Sequence, residues 1–440
     1  MAVQQFILLS FGSLGDVYPF IAVGGRLARR GHRVTLISFE RDAYAVAARN
    51  AGMDFVPIGS WSEVEALLAS TDVNDWHRVI KIVSRVMTAN LAETFEAIAE
   101  RARPRATTKL VAFAPTVAAR IAAERLGLPL ATVHLAPAGI RSAMSAPRFN
   151  RLRLPLSFWR ALAPMWNGLF DWLFDRELLE PVNAFRRSIG LPSVEYVRRA
   201  LDSNDLVIGL FPDWFAPRES DWPARSVTTH FPLYDAADER PLSPELEAFL
   251  ADGEPPIAFT AGSPTQRYSE FYRTSIEACA ALERRGLMIT AYRDDLPERL
   301  PAGIAHVEYA PFGRLLPRVA AFVHHGGIGT AAQALRAGVP QLVVPWGTDQ
   351  FDNVKWLEQL GVAREISENT YRPAKVIGRL GELLSDPEVA ASCRDVAARF
   401  DGVDTLEPIC AALEALVPAP RAPTPSDERD LRLGSSVAAG

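Results

Sequence analysis

The 440-residue sequence has few of the features typical of disulfide-bonded, nucleic-acid-binding or membrane-spanning proteins. Its three cysteines, Cys279, Cys393 and Cys410, are an odd number without metal-site spacing, as is usual in a reducing cytoplasm. No block of lysine and arginine occurs and the net charge is −5, so we expect no nucleic-acid partner. No apolar run has the length of a membrane span or secretory signal. We expect a cytoplasmic protein, with peripheral contact to the inner membrane or a partner enzyme left open.

Strands and helices alternate along most of the chain, which predicts parallel, doubly wound sheets. The run Phe6 to Phe11 is typical of a strand buried on both faces, and one long helix is expected over 76–101. The alternation breaks at 136–155, ahead of an aromatic helical segment over 156–188. Because 440 residues exceed one ordinary core, we expect two domains. We expect a first domain over 1–232, a linker over 233–244 and a second domain over 245–400. A C-terminal helix over 401–417 and a disordered tail over 418–440 follow. Packing of that helix against the first domain is left open.

The stretch HHGGIGTAAQALRAGVPQLVVPWGTDQFDN, residues 324–353, contains the clearest candidate site. A glycine-rich turn at Gly326 and Gly327 leads from a strand into a helix that begins near Thr330, an arrangement that suits a phosphate. After the next strand, Asp349 and Gln350 offer side chains that bind hydroxyls. The alternative is an ordinary helix-capping turn with polar surface residues.

Two other loops follow predicted strands at the same kind of sheet edge. Asp16, after Gly12 and Gly15, either accepts a proton from a substrate hydroxyl or only complements a helix dipole. Gly262 and Ser263 form a second turn that suits phosphate, although such a turn is weak evidence alone.

Histidine and aromatic residues complete the candidate set. One of the adjacent residues His324 and His325 is expected to face the fold and the other to contact phosphate. A metal site is not expected, because no second ligand lies at a suitable spacing and no Asp-x-Asp occurs. The aromatic segment is either core or the wall of an apolar ligand site, and His134 either joins that site or is structural. The aromatic candidates are Phe158, Trp159, Trp166 and Phe170.

The stretch over residues 324–353, together with SFGSLGDVYPF at residues 10–20, resembles the family-1 glycosyltransferases of GT-B fold. The first is similar to the donor-site signature of bacterial macrolide enzymes and the plant secondary-product box, and the second to the start of the bacterial and sterol branch. The resemblance implies two Rossmann-like α/β domains facing across a cleft, the first binding the acceptor and the second the nucleotide-sugar donor. It implies neither a metal ion nor a cofactor.

The resemblance also implies roles for individual residues. Asp16 corresponds to the general base, and Tyr309 to the aromatic residue that stacks on the nucleotide base. The donor contacts implied are His325, Gly327, Gly329 and Thr330 to the diphosphate, and Asp349 and Gln350 to the sugar. Phe312 and Gln333 depart from the plant pattern, which has glutamine and glutamate there to recognise ribose. The loss of 2′-hydroxyl recognition favours dTDP over UDP.

Three further segments are similar to the rhamnosyltransferase chains that make mono-rhamnolipids. They are residues 211–235, 309–317 and 338–353. This similarity implies an inverting transfer of L-rhamnose from dTDP-L-rhamnose to the hydroxyl of a 3-(3-hydroxyalkanoyloxy)alkanoate. The alternatives are another nucleotide-sugar, a natural-product or sterol-type acceptor, or a non-catalytic nucleotide-sugar binding protein. A dinucleotide-dependent oxidoreductase is disfavoured because the first loop lacks G-x-G-x-x-G.

Overall fold

Two parallel β-sheets, one in each half of the chain, form the framework of this computed structural model, which describes residues 2–69, 76–144, 148, 156–234, 241–262, 268–347 and 349–419. The first sheet has seven strands in the order β3-β2-β1-β4-β5-β6-β7. Its strands are β1 Gln5–Leu9, β2 Arg33–Glu40, β3 Asp54–Ser60, β4 Thr108–Phe113, β5 Leu130–His134, β6 Leu206–Gly209 and β7 Ser226–Thr228. The helices described in this half are α1 Leu14–Arg29, α2 Asp42–Asn50, α3 Trp61–Ala69, α4 Trp76–Ala89, α5 Leu91–Arg101, α6 Val117–Leu126 and α7 Leu156–Ser188.

The second sheet has six strands in the order β10-β9-β8-β11-β12-β13. Its strands are β8 Ile257–Thr260, β9 Gly286–Ile289, β10 Ile304–Val307, β11 Ala321–His324, β12 Gln341–Val343 and β13 Ala363–Glu365. The helices described after residue 240 are α8 Pro244–Ala251, α9 Ser269–Ala281, α10 Phe312–Leu315, α11 Ile328–Ala337, α12 Gln350–Gln359, α13 Pro373–Ser385, α14 Pro387–Ala398 and α15 Glu407–Glu414. In the part of the chain that the structure describes, no helix is both long and apolar enough to cross a membrane.

The position of strand β1 in the sheet explains why its sequence is apolar at every residue and does not alternate with polar residues. It pairs with β2 on one side and β4 on the other, so it lies inside the sheet. Phe6 and Leu8 enter the hydrophobic cluster on one face, whereas Ile7 and Leu9 enter the cluster on the other. Helices cover both faces, as in other parallel sheets. The predicted doubly wound α/β architecture is confirmed for both sheets.

Two local predictions were wrong. The long helix expected over 76–101 is two helices, α4 and α5, which are separated at Asn90. Asn90 adopts φ −115° and ψ 28°, outside the helical region, and its amide lies against Gly59, where a Cβ atom would come within 2.5 Å of Nδ2. This tertiary contact has no local sequence signal. Helix α3 was not predicted at all.

The C-terminal helix α15 packs against the first sheet. Ile409, Cys410 and Leu413 belong to the same hydrophobic cluster as β1 and α1. The buried ammonium of Lys109, on β4, donates to the carbonyl oxygens of Leu413 at 3.1 Å and Glu414 at 2.6 Å, and so binds the last turn of the helix. Residues 235–240 of the predicted linker and 420–440 of the predicted tail lie outside the described residues.

Candidate active site

The glycine-rich turn after β11 leads into helix α11 as the sequence predicts. Gly326 has φ +89°, and a Cβ atom there would lie 2.8 Å from Val343, so only glycine fits without strain. Gly327 is the N-cap, and the helix ends at Gly338, which is left-handed at φ +67°. A Cβ atom on Gly329, in the first turn, would meet no atom within 4 Å. The first turn of α11, which includes Thr330, is therefore open on the side of Gly329, and the unpaired N–H groups of a helix start favour an anion.

The two adjacent histidines have different surroundings. His324 is fully buried, accepts the N–H of Gly326 at Nδ1 and contacts Gln341 Oε1 through Nε2 at 2.9 Å, so it is a structural residue. His325 lies between two glycines: a Cβ atom on Gly262 would be 2.7 Å from its ring, and one on Gly327 would be 2.4 Å from Nε2. Its Nδ1 atom is buried and has no hydrogen-bond partner among the described residues. Burial lowers the pKa of His325 to about 4, so the imidazole is neutral at pH 7.

Asp349 and Gln350 lie at the start of α12, beside the same turn. Asn353 joins the two loops, because its Nδ2 donates to the Gly326 carbonyl at 3.0 Å and to Asp349 Oδ2 at 2.8 Å. Gln350 Oε1 accepts the backbone N–H groups of Trp346 at 2.8 Å and Gly347 at 3.2 Å. The carbonyl end of Gln350 thus holds its own loop in place, and the amide nitrogen is the end that remains for a ligand.

Asp16 occupies the third position of helix α1, at the carboxyl end of β1. Its Oδ2 accepts the Ser13 N–H at 2.7 Å and the Ser13 hydroxyl at 2.9 Å. No described residue donates to Oδ1, so this oxygen is available to a hydroxyl group. Burial raises the pKa of the Asp16 carboxyl to about 6, the Ser13 bonds lower it, and the Asp349 carboxylate raises it. The helix-capping and proton-accepting interpretations are compatible, since each uses a different oxygen.

The loops of the two sheets meet at this point. Ile328, the first residue of α11, packs against the hydrophobic cluster that contains Val17 and Phe20 of α1. The repulsion between the Asp16 and Asp349 carboxylates acts between the starts of α1 and α12. The candidate base, the phosphate-type turn and the hydroxyl-binding pair are therefore brought together from distant parts of the chain.

The remaining donor-side candidates surround this turn. Tyr309 has an exposed ring in the loop after β10. Gln333 is nearly buried on α11, and its Oε1 atom has no described hydrogen-bond partner. Phe312 turns towards the core, where its ring packs edge-to-face on Phe322 at 5.3 Å. Ser263 lies outside the described residues.

A small cavity of about 20 Å³, room for about one water molecule, lies between the inner side of α7 and the loop after β5 and opens to solvent. The aromatic candidates Trp166 and Phe170 line it, together with Asn167, Arg141 and Arg198. Arg141 forms an ion pair with Asp171 at 2.6 Å.

Phe158 and His134, which were also predicted for an apolar site, do not line this cavity. Phe158 is 51% exposed on the outer side of α7, and the side chain of Trp159 lies outside the described residues. His134 is buried, and its Nε2 atom is 2.6 Å from Asp202 Oδ1. A satisfied, structural histidine is the interpretation that this pairing supports.

Sequence reasoning missed three residues that organise the site: Ser13, Asn353 and Arg148. Arg148 binds Glu365 of β13 through two bonds of 2.8 and 3.0 Å, and its backbone N–H donates to Asp352 of α12. It thus ties the loop near the cavity to the second sheet. Ser13 had a local signal, because serine three residues before an acidic residue forms a capping box. The other two depend on contacts between distant segments.

Comparisons with known proteins agree with this arrangement. Residues 6–145 match the family model described as the glycosyltransferase family 28 N-terminal domain. Residues 283–415 match the model described as erythromycin biosynthesis protein CIII-like, C-terminal domain. The O-mycaminosyltylonolide 6-deoxyallosyltransferase of Streptomyces fradiae is 30% identical, over 93% of this chain and 97% of the relative. The glycosyltransferase GtfC of Amycolatopsis orientalis is 29% identical, over 82% of this chain and 85% of the relative.

Solved structures show the same fold. The kitacinnamycin glycotransferase superposes with a TM-score of 0.72 at 21% identity, covering 94% of this chain and 99% of that one. The spinosyn rhamnosyltransferase SpnG, solved with thymidine diphosphate, superposes with a TM-score of 0.65 at 16% identity, covering 94% of this chain and all of that one. Since the match to the Streptomyces enzyme extends through both halves, the chain is a glycosyltransferase and belongs to the GT-B family that contains the erythromycin CIII-like enzymes.

Proposed function

We propose that this glycosyltransferase moves L-rhamnose from dTDP-L-rhamnose to the hydroxyl of a 3-(3-hydroxyalkanoyloxy)alkanoate, which gives a mono-rhamnolipid. The observation that carries the proposed reaction is the placement of Asp16. Its carboxylate has one oxygen available at the point where helices α1, α11 and α12 meet. The specific donor and acceptor rest on the similarity of residues 211–235, 309–317 and 338–353 to rhamnolipid rhamnosyltransferases.

The reaction is a single displacement with inversion at the anomeric carbon. The acceptor oxygen forms a bond to that carbon, its proton passes to Asp16, and the bond between the carbon and the diphosphate oxygen breaks. A pKa of about 6 leaves Asp16 ionised at pH 7 and more basic than an ordinary aspartate. The Ser13 hydrogen bonds fix the direction in which the carboxylate points.

The diphosphate that leaves gains negative charge. The N–H groups of Gly329 and Thr330 in the first turn of α11 and the ring of His325 hold this charge. The neutral imidazole donates one N–H. Its buried Nδ1 atom has no hydrogen-bond partner among the described residues, and the bound ligand would supply one. The mechanism assigns no step to a metal ion or an organic cofactor, because these groups carry the charge.

The nucleoside side of the site favours thymidine. The exposed ring of Tyr309 offers a face on which the base stacks. Phe312 packs into the core and gives no hydrogen bond to a ribose, which leaves the Gln333 amide for the single free hydroxyl of a 5′-linked deoxyribose. Asp349 and the amide nitrogen of Gln350 bind hydroxyls of the sugar.

We place the apolar part of the acceptor at the opening of the cavity beside α7, against Trp166 and Phe170. Residues 211–235, which carry part of the narrower resemblance, support one wall of this cavity: Asp221 accepts the hydroxyl of Ser142 at 2.7 Å and the N–H of Ala143. We place the reaction in the cytoplasm, with peripheral contact to the membrane.

Mass spectrometry of products tests the proposal. The purified chain is incubated with dTDP-L-rhamnose, dTDP-D-glucose or UDP-glucose, each with a hydroxyalkanoyloxyalkanoate, a macrolide aglycone and a sterol. We expect product only with the dTDP donors, and the largest amount with rhamnose and the lipid acid. In parallel calorimetry, dTDP should bind more tightly than UDP. Equal affinities would overturn the donor assignment, and transfer to the macrolide alone would overturn the acceptor assignment.

A natural-product aglycone is the second candidate acceptor. It is supported by the names of the relatives, which include a transferase that acts on O-mycaminosyltylonolide. The same panel separates the two acceptors. A chain that binds dTDP-L-rhamnose in calorimetry but transfers to none of them would instead be a nucleotide-sugar binding protein.

A further inference from the structure

Arg148 joins the first half of the chain to the second sheet through a buried ion pair. Its guanidinium donates to both carboxylate oxygens of Glu365, on β13, at 2.8 and 3.0 Å. The two side chains are only 10% and 6% exposed. A bidentate pair fixes the distance and the orientation of its partners, because the planar guanidinium matches the carboxylate. Since both charges lose their hydration on burial, the pair is weak evidence for stability and points instead to a role in setting relative positions.

The same arginine contacts helix α12, which begins beside the hydroxyl-binding pair Asp349 and Gln350. The backbone N–H of Arg148 donates to Asp352 Oδ1 at 3.2 Å, and its guanidinium lies 5.8 Å from the centre of the Phe351 ring. Both of these partners are buried residues in the first turn of α12. Arg148 therefore holds the start of this helix from the side of the first half.

Asp352 is itself fixed within α12, because its carboxylate accepts the Lys355 ammonium and the Trp356 indole N–H, each at 2.9 Å. The next residue, Asn353, donates to Asp349 Oδ2 at 2.8 Å. Two adjacent residues of α12 thus connect the arginine with the carboxylate that is proposed to bind the sugar.

The described residues 136–144 and 148, which we call the acceptor loop, form part of the acceptor side. Ala138 and Ser142 of this loop line the cavity beside α7. They also line a second small cavity, to which α12 contributes Asp352 and Trp356. The wall of the acceptor cavity and the helix of the sugar-binding pair are therefore neighbours. A displacement of one relative to the other would change the distance between the acceptor hydroxyl and the anomeric carbon.

We propose that Arg148 is a positioning residue, which sets the acceptor loop against α12 so that the acceptor hydroxyl, the sugar and Asp16 are aligned for transfer. It acts through Asp352 and Glu365 and contacts neither substrate. Transfer needs the reacting atoms about 3 to 3.5 Å apart, and a misplacement of about 1 Å costs on the order of 100-fold in rate. This role rests on the proposed function for the base and the sugar-binding pair, whereas the contacts of Arg148 do not.

The partition of the donor between transfer and hydrolysis tests this role. It is measured with the donor and acceptor of the product panel that give the largest turnover. Arg148→Ala should lower kcat for transfer roughly 30- to 100-fold, because the acceptor hydroxyl is displaced from the anomeric carbon. Hydrolysis of the donor should stay unchanged, since water needs no acceptor loop to reach the sugar. The affinity for dTDP in calorimetry should also stay unchanged.

Two further variants keep the test informative if Arg148→Ala folds poorly. Arg148→Lys retains the charge but not the bidentate geometry, so it should recover only part of the transfer rate. Arg148→Met combined with Glu365→Leu removes both charges and leaves neither of them buried without a partner. This double variant should keep the melting temperature of the parent and still transfer slowly.

Arg186 provides the matched control. It binds Glu124 through two bonds of 2.7 and 2.9 Å, and this pair joins α7 to α6 within the first half. Arg186→Ala should lower the melting temperature without changing the ratio of transfer to hydrolysis. An unchanged ratio in Arg148→Ala, or the same change of ratio in both variants, would overturn the proposal.

Hydrogen–deuterium exchange of the substrate-free chain separates this proposal from the proposed function. Arg148→Ala should increase exchange over residues 349–356, and Arg186→Ala should not. If the parent transfers no sugar in the product panel but the exchange changes as expected, the proposed function fails and the attachment of α12 by Arg148 stands. Unchanged exchange over residues 349–356 would overturn the positioning role even in an active enzyme.

Discussion

The polar groups at the carboxyl edges of the two sheets differ in how far they are hydrogen-bonded within the protein. On the second, buried polar atoms of His325, Gln333 and Asn353 have no partner among the described residues. On the first, the polar groups nearest the candidate base are paired within the protein, Asp16 with Ser13 and His134 with Asp202, whereas the buried ring nitrogens of Trp61 and His230 have no described partner. A buried polar atom without a partner costs free energy unless a ligand satisfies it.

This difference indicates that the two halves of the chain contribute differently to binding the donor and the acceptor. At the second edge the polar atoms of the protein are in position before the donor binds. A polar, charged donor supplies the hydrogen-bond partners that these atoms lack. The first edge holds a single base in a set direction and leaves the rest of the acceptor to a cavity lined by both aromatic and polar side chains. Donor recognition should therefore depend on individual hydrogen bonds, and recognition of an apolar acceptor on contact with Trp166 and Phe170.

The largest expected effect comes from the base. Asp16→Asn removes the proton acceptor but keeps the shape and a hydrogen-bonding oxygen, so kcat should fall roughly 100- to 10,000-fold. The affinity for dTDP should stay unchanged in calorimetry, because the donor is held by the other edge. The melting temperature should stay equal or rise, since burial of the ionised carboxylate is unfavourable in the native fold. A near-normal kcat would remove Asp16 from its proposed role.

The second effect separates the adjacent histidines. His325→Ala should lower kcat roughly 100-fold and weaken dTDP binding, because a donor to the diphosphate is lost. His324→Ala should instead lower stability by about 2 kcal/mol or more, because it leaves a cavity and an unpaired Gln341 carbonyl. Thermal unfolding and calorimetry on both variants check this. If the two variants had the same profile, the assignment of His325 to the ligand would be wrong.

The contrast also shows which features the sequence can predict. Local patterns identified the strands, the turn at Gly326 and the helix end at Gly338, because glycine at positive φ and apolar periodicity are local properties. Most donor-side candidates belong to the stretch over 324–353, so their proximity follows from a single βαβ unit, whereas Gly262 and Tyr309 follow other strands of the same sheet.

The first edge was harder to predict, because its contacts join distant segments. The pair Arg148–Glu365 connects residues 217 positions apart, and the cavity combines residues from three separate segments. Which aromatic residues of α7 face the cavity depends on the rotation of the helix. Its overall composition does not reveal that rotation, and for this reason Phe158 was grouped with Trp166 although it faces outward.

The third prediction tests the apolar character of the acceptor cavity. Trp166→Ala should raise KM for a lipid acceptor about tenfold, in line with the burial of one large apolar side chain, and leave KM for the donor unchanged. Phe158→Ala is the matched control on the same helix, because Phe158 does not line the cavity, and it should leave KM for the same acceptor unchanged. Steady-state kinetics with each substrate varied in turn gives both constants. A change confined to the donor KM would contradict the assignment of the cavity.

The smallest effect concerns the pKa of the base. The Ser13 hydroxyl donates to Asp16 Oδ2 at 2.9 Å and so lowers the pKa of a carboxyl that burial has raised to about 6. Because Asp16 must be ionised to accept a proton, kcat/KM should fall as the pH drops below about 6. Ser13→Ala removes one donor, so the pKa should rise and the acidic limb of the profile should move to higher pH.

At pH 7 the change amounts to a loss of about two- to threefold, and at pH 8 it should disappear. Ser10→Ala is the matched control, because the Ser10 hydroxyl bonds the backbone carbonyl of Asp16 at 2.8 Å and not its carboxylate. Both variants lose one hydrogen bond and about 1 kcal/mol of stability, but only Ser13→Ala should move the limb. An equal shift in both would mean that the limb reports a general loosening of the loop, and the base would then have to be sought elsewhere on the first edge.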